Sequence, residues 1–247
     1  MLRSLSALAL AGALALPAAA LDLSEMTEEE RAIFREEVRA YLMENPEVIM
    51  EAVAVLEERE QAAQALADET LVSDNADALF NDGYSYVGGN PDGDITLVEF
   101  LDYRCGFCKR AHSEVAKLLE SDGNIRLIVK EFPILGEQSL LASRFAVATK
   151  QIAGDDAYGG LTDALMTMTG DVSIRSLRRM ASTFGLDADA IEAHMDSEEV
   201  TAEIRDTRAL AQRLQITGTP TFVLQDELLR GFLPFDEMMA LVEEKRG

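Results

Sequence analysis

The chain has two cysteines in 247 residues, Cys105 and Cys108, with only Gly106 and Phe107 between them. Thiol–disulfide exchange needs a thiolate to attack and a second thiol close enough to resolve the mixed disulfide. A Cys-x-x-Cys at a helix start supplies both. Backbone N–H groups and the helix dipole favour negative charge on the first sulfur, while the second lies one turn deeper. The spacing makes Cys105 the exposed nucleophile and Cys108 the resolving thiol. A disulfide closing so small a loop restrains the unfolded chain only modestly, so reactivity accounts for the pair better than stapling does. A disulfide-stapled secreted domain would spread several cysteines over distant segments.

Two other chemistries use some of the same residues. His112 follows Cys108 by four positions, so Cys105, Cys108 and His112 could converge on a soft or borderline metal ion. His194 is the other imidazole of the chain, far along it. Three donors fall short of a closed zinc site, although copper(I) accepts fewer ligands. Met166, Met168, Met180, Met195, Met238 and Met239 could line an adaptable apolar surface for holding unfolded chains. At helical spacing methionines are more often core, and a pure binding surface does not require the cysteine pair. No cofactor or metal is assigned to the thiol reading.

Several elements must position the pair. Ile95 to Leu101 is a β-branched, apolar run of buried-strand length, and the cysteines follow it directly. Ala111, Val115, Leu118 and Leu119 mark a helix ending near Asp122-Gly123, and Ile125 to Phe132 reads as a second strand. The order strand, Cys-x-x-Cys, helix, strand is a parallel βαβ unit with the cysteines at the carboxyl end of its first strand. A short strand is expected at Tyr84 to Val87, amid turn residues from 73 to 93. Helical patterns fill residues 138–214. Thr219 to Leu224 and Leu228 to Phe232 then read as a hairpin, and Pro234 opens a last helix.

The N-terminal part differs in character. A basic start, an apolar run from Leu5 to Leu16 and Ala18-Ala19-Ala20 read as an export signal cleaved after Ala20, which places the protein in the periplasm. Thr27 to Glu30 is a capping box that opens one helix. Asn45-Pro46 ends it and starts a second, which is expected to run to about Asp68. Ile49, Val53 and Leu56 form a stripe at coiled-coil spacing. A net charge of −23 repels phosphate backbones and anionic lipid surfaces, so nucleic acid is not an expected partner.

Phe100 to Arg110, together with Gly218-Thr219-Pro220-Thr221-Phe222, resembles the DsbA family of thiol–disulfide oxidoreductases. The resemblance covers residues 80–246 and implies an α/β thioredoxin fold with an inserted helical domain. The arm, with Phe34 to Arg39 and Asn45 to Ile49, is similar to the leader helices of ScsC-like proteins, which form trimers through them. The implied organisation is a signal peptide at 1–20, an oligomerisation arm at 21–72 acting through residues 25–70, and a catalytic domain at 73–247. That domain carries its helical insertion at about 138–214. The resemblance implies a cis Pro220, with Thr219 offering its backbone to the substrate. It also implies a buried acid at Glu99 that accepts the Cys108 proton; a strand-end acid reaching solvent is the alternative. Lys130 is expected to pair with Glu99 across adjacent strands. Implied partners are unfolded or misoxidised exported proteins and a membrane protein that resets the cysteines. One departure matters: Gly106-Phe107 replaces the Pro-His of strongly oxidising members. Without that histidine donor the couple is expected to be less oxidising, which favours isomerase work over one-way oxidation, with a monomeric dithiol oxidase as the alternative.

Overall fold

The computed structural model describes residues 26–247; the expected signal peptide lies outside the described residues. The chain divides into two compact units, one ending at Arg59 and the other spanning Glu60–Gly247.

The first unit is built from helix α1 (Glu28–Glu44) and the start of α2 (Glu47–Asp74). The Thr27 hydroxyl accepts from Glu30 N–H, and the Glu30 carboxylate accepts from Thr27 N–H, which closes the capping box. No residue of α1 is buried: Ile33, Phe34, Val38 and Tyr41 are exposed, and so are Ile49, Met50, Val53 and Leu56 of α2. α2 continues past the expected end at Asp68. Asp68 and Val72 of its last turns are buried, and tertiary packing there outweighs the polar composition of the segment.

The second unit holds a five-stranded sheet made of β1 (Tyr86–Gly89), β2 (Ile95–Leu101), β3 (Ile125–Glu131), β4 (Thr221–Leu224) and β5 (Glu227–Arg230), in the order β1-β3-β2-β4-β5. β2 and β3 are parallel, as the βαβ reading requires, and the remaining pairs are antiparallel. A short helix, α3 (Ala76–Phe80), occupies part of the segment read as turns. It buries Leu79, and the flanking Asn75 and Asn81 hid it in the sequence. Between β2 and β3 runs α4 (Gly106–Asp122), which stops at Gly123 in the left-handed region, a conformation that favours glycine. Five helices fill the gap between β3 and β4: α5 (Glu137–Ala153), α6 (Asp155–Thr167), α7 (Ile174–Thr183), α8 (Ala188–His194) and α9 (Glu198–Arg213). α10 (Phe235–Arg246) closes the chain.

The pleat sends alternate residues of the central strands into different cores. Ile95, Leu97, Leu101, Leu127 and Val129 join the cluster that contains Cys105, Cys108 and residues of α4 to α10. Val98, Phe100 and Ile128 join the opposite cluster with Leu79, Leu210 and Leu214. This alternation decides where Lys130 goes. Glu99 stands opposite Val129, whereas Lys130 stands opposite Phe100, on the other face of the sheet. The expected Glu99–Lys130 pair therefore does not form. Lys130 Nζ instead donates to Asp82 Oδ2 at 2.5 Å and to the Ala78 carbonyl at 2.8 Å.

Candidate active site

Cys105 is the N-cap residue of α4, with extended backbone angles, and Gly106 is the first helical residue. The first sulfur is thus placed against the free N–H groups and positive dipole end of the helix. Asp102 fixes the approach. Its Oδ1 accepts from Arg104 N–H, its Oδ2 accepts from the N–H groups of Ile134 and Leu135, and its carbonyl accepts from Cys105 N–H at 3.0 Å. The thiols are free rather than bonded to each other. Cys105 is 7% exposed and Cys108 is 0% exposed, so Cys105 is less open than the sequence suggested, yet it is the more accessible sulfur of the two.

The Thr219-Pro220 peptide is cis. Cys105 Sγ donates to the Thr219 carbonyl at 3.1 Å, so two motifs separated by the whole helical insertion meet at this sulfur. The Pro220 carbonyl accepts from Gly231 N–H, which ties the cis-proline loop to the end of β5. Burial drives the Cys108 thiol far above its ordinary range, and the Cys105 and Glu99 charges push the same way. Cys108 therefore sheds its proton only when a base takes it.

Glu99 is buried on the face of β2 that carries the cysteine cluster, and its Oε1 has no hydrogen-bond partner. Burial first, and the charge of Glu131 second, push its carboxyl up to about 8. Glu99 lines a cavity of about 150 Å³ together with Tyr86, Val115, His112, Thr162 and Asp163. His112 Nε2 lies 3.0 Å from Asp163 Oδ1, so the imidazole is turned to a carboxylate of α6. Among the described residues no group of three or more His, Cys, Asp and Glu is placed to hold a metal ion.

Phe107 is 55% exposed, and the Arg110 guanidinium lies over its ring at 4.4 Å and over the Phe232 ring at 5.1 Å. Arg104 donates to the Gly170 carbonyl and Lys109 to the Met168 carbonyl, so the two cations tie the redox loop and the first turn of α4 to the segment that follows α6.

The sequence reading missed Glu131. This carboxylate is buried and accepts from Tyr103, Tyr158 and Ser143 hydroxyls, each at 2.6 Å. Tyr103 precedes Cys105 by two positions, so the network joins the redox loop to α5 and α6. The one available signal was Glu131 at the end of an apolar strand, in the same alternation as Leu127 and Val129.

A dithiol at the N-terminus of a helix, facing a cis-proline loop across a β1-β3-β2-β4-β5 sheet, defines a thioredoxin-fold thiol–disulfide oxidoreductase. Residues 96–243 match the model of the DSBA-like thioredoxin domain, and the chain belongs to that family. Residues 30–63 match the N-terminal domain of the copper resistance protein ScsC. A thioredoxin-like oxidoreductase from Silicibacter pomeroyi DSS-3 is 43% identical, with a TM-score of 0.64 over 69% of this chain and 96% of its own. Proteus mirabilis ScsC in a transitional conformation is 26% identical, with a TM-score of 0.65 over 89% of this chain and 98% of its own. Disulfide bond formation protein D of Bacillus subtilis is 24% identical over 169 residues, which are 64% of this chain and 75% of that protein. The chain also matches Na(+)/H(+) antiporters of the NhaA type, and spans about a quarter of their length.

Proposed function

We propose that the protein is a periplasmic disulfide isomerase, exported by a signal cleaved after Ala20, and that it works as a homo-oligomer, a trimer, joined through residues 25–70. The observation that carries this reading is the unpartnered apolar surface of the first unit. Ile33, Phe34, Val38, Tyr41, Ile49, Met50, Val53 and Leu56 are exposed in a single chain, and a surface of that kind marks an interaction site. The match of residues 30–63 to the ScsC N-terminal domain supports the same assignment. An isomerase gains from several active sites arrayed around one misoxidised client. No described helix is long and apolar enough to cross a membrane.

In the reaction, ionised Cys105 attacks a client disulfide and releases one client sulfur as a thiolate, forming a mixed disulfide. Isomerisation follows when another client thiolate displaces Cys105. The alternative outcome is resolution: Cys108 gives its proton to ionised Glu99 and attacks Cys105 Sγ, the client leaves as a thiolate, and Cys105–Cys108 is the new disulfide. A membrane redox partner then returns the pair to the dithiol. Thr219 and Pro220 present backbone to the client beside Cys105.

The test measures the solution mass of the full-length protein and of a form lacking residues 26–59, and the refolding of a scrambled-disulfide substrate by each. Multimeric full-length protein that recovers native pairings, and a monomeric deletion that loses this while still oxidising dithiols, is the expected result. A monomeric full-length protein that only oxidises thiols overturns it.

A further inference from the structure

Two carboxylates are buried on the same face of adjacent strands behind the cysteines, and their surroundings are unequal. Glu131, opposite Leu101, receives the Tyr103, Tyr158 and Ser143 hydroxyls, and Thr162 lies 3.1 Å from the Tyr103 oxygen. Glu99, opposite Val129, has an oxygen with no partner. Hydrogen bonds donated to a carboxylate stabilise its charged form, and burial without donors stabilises the neutral acid. Two such groups in one low-dielectric core do not both ionise readily, and their protons belong to the pair.

The geometry points to Glu131 as a positioning residue for the thiol chemistry: with three hydroxyls donated to it, it is the one of the two carboxyls that takes negative charge first, and that charge holds on Glu99 the proton that Cys108 exchanges. This rests on the reading of Glu99 as the proton partner of Cys108.

The groups around the pair agree with that assignment. Glu99 lines one cavity with His112 from α4, Tyr86 from β1 and Asp163 from α6, and its charge acts on the Cys108 thiol. Glu131 meets Tyr103 from the redox loop, Ser143 from α5, Tyr158 and Thr162 from α6, and the Glu203 charge from α9. The nearby lysines are committed elsewhere. Lys130 lies on the far face with Asp82, and Lys150 binds Glu203 and the Tyr84 carbonyl. Burial raises Glu131 to about 7, against the pull of its hydroxyl donors, which leaves it below Glu99.

A proton held on Glu99 favours one direction. When a client thiolate attacks Cys105 Sγ of the Cys105–Cys108 disulfide, the S–S bond between the two cysteines breaks and a client–Cys105 bond forms. Cys108 then leaves with the Glu99 proton as a neutral thiol. The client sulfur is oxidised, the protein disulfide is reduced, and Glu99 becomes a carboxylate. In reverse, Cys108 must return a proton to ionised Glu99 before it attacks Cys105.

The experiment forms the mixed disulfide between Cys105 and a small thiol in the full-length protein at acid pH, then shifts it to a final pH from about 5 to about 9.5 and follows release of the small thiol as Cys108 resolves it. The wild type shows a rise in the resolving rate with a midpoint near 8. In Glu131→Gln the midpoint moves down and the rate near neutral pH increases several-fold; Glu131→Asp keeps the alkaline midpoint. Tyr158→Phe and Ser143→Ala each remove one donor, favour protonation of Glu131 and move the midpoint down by less, and they carry the test if Glu131→Gln does not fold. Glu99→Gln removes the rise altogether. An unchanged midpoint in the Glu131, Tyr158 and Ser143 variants, with the rise lost in Glu99→Gln, overturns the role of Glu131 and leaves that of Glu99 standing. A rise that persists in Glu99→Gln overturns the Glu99 reading itself, and the Glu131 role with it.

Discussion

Cys105 Sγ donates a hydrogen bond to the Thr219 carbonyl oxygen, 114 residues further along the chain, at 3.1 Å. The contact sets the more accessible sulfur against a backbone acceptor, whereas Cys108 has no exposed surface. Only the first sulfur can meet a client. Cys108→Ser is expected to accumulate mixed disulfides with client proteins, visible as mass-shifted species that a reductant dissolves. Cys105→Ser is expected to trap none and to lose all exchange activity. Alkylation of the reduced wild type should modify Cys105 on the order of 10²-fold faster than Cys108, because the thiolate is the reacting form and burial keeps Cys108 protonated. Equal rates by mass spectrometry would contradict the assignment.

Lys130 and Asp82 form an ion pair on the opposite face of the sheet from the cysteines, with the lysine side chain fully buried. Removing one partner of such a pair strands the other charge, which costs about 3–5 kcal/mol. Lys130→Met is therefore expected to lower the unfolding free energy obtained from chemical denaturation by an amount in that range, while the rate and pH profile of thiol exchange stay as in the wild type. A variant that shifts the pH profile of Cys108 instead would mean that Lys130 communicates with Glu99 through the sheet.

What was legible in the sequence is what is local. Cys-x-x-Cys after a β-branched run, a capping box at Thr27, glycine at the end of the redox helix and Thr-Pro before a strand each act within a few residues, and each stands where the pattern put it. The Glu99–Lys130 pair failed because strand adjacency says nothing about register, and a shift of one residue moves a side chain to the other face. Glu131 was invisible for a related reason. Its three donors come from the redox loop, α5 and α6, and only the folded insertion brings Tyr158 and Ser143 to it. An acid at the end of an apolar run reads as solvent-facing until the elements that cover it are known.

Glu99 and Glu131 also make stability depend on pH in a definite direction. Both carboxyls are raised in the folded protein, to about 8 and about 7. The native state therefore holds more protons than the unfolded chain between about pH 4.5 and these values. Stability is greatest at the acid end of that window and falls as pH rises through it, by up to about 1.4 kcal/mol per pH unit for each group. Denaturation of the reduced protein at about pH 5, 6.5 and 8 should show the fall. Glu99→Gln should flatten it and be the more stable form at the alkaline end. Parallel pH slopes for wild type and Glu99→Gln would show that Glu99 titrates normally in the fold.

Phe107 occupies the position beside the nucleophile with an exposed ring that stacks under Arg110. An aromatic hydrocarbon there presents no N–H to a sulfur at the helix start, where backbone N–H groups and the dipole face Cys105. Phe107→His adds a donor at that point, stabilises the reduced form relative to the disulfide and makes the couple more oxidising, by about 30 mV for each tenfold change in the exchange equilibrium. It also exchanges a cation–π contact for repulsion between Arg110 and a protonated imidazole, which limits the gain at acid pH. Equilibration of the protein with glutathione redox buffers at neutral pH measures the shift directly. A potential equal to that of the wild type would show that the residue before Cys108 does not set the poise here. The contribution of Phe107 would then lie in the surface that it presents with Arg110 and Phe232.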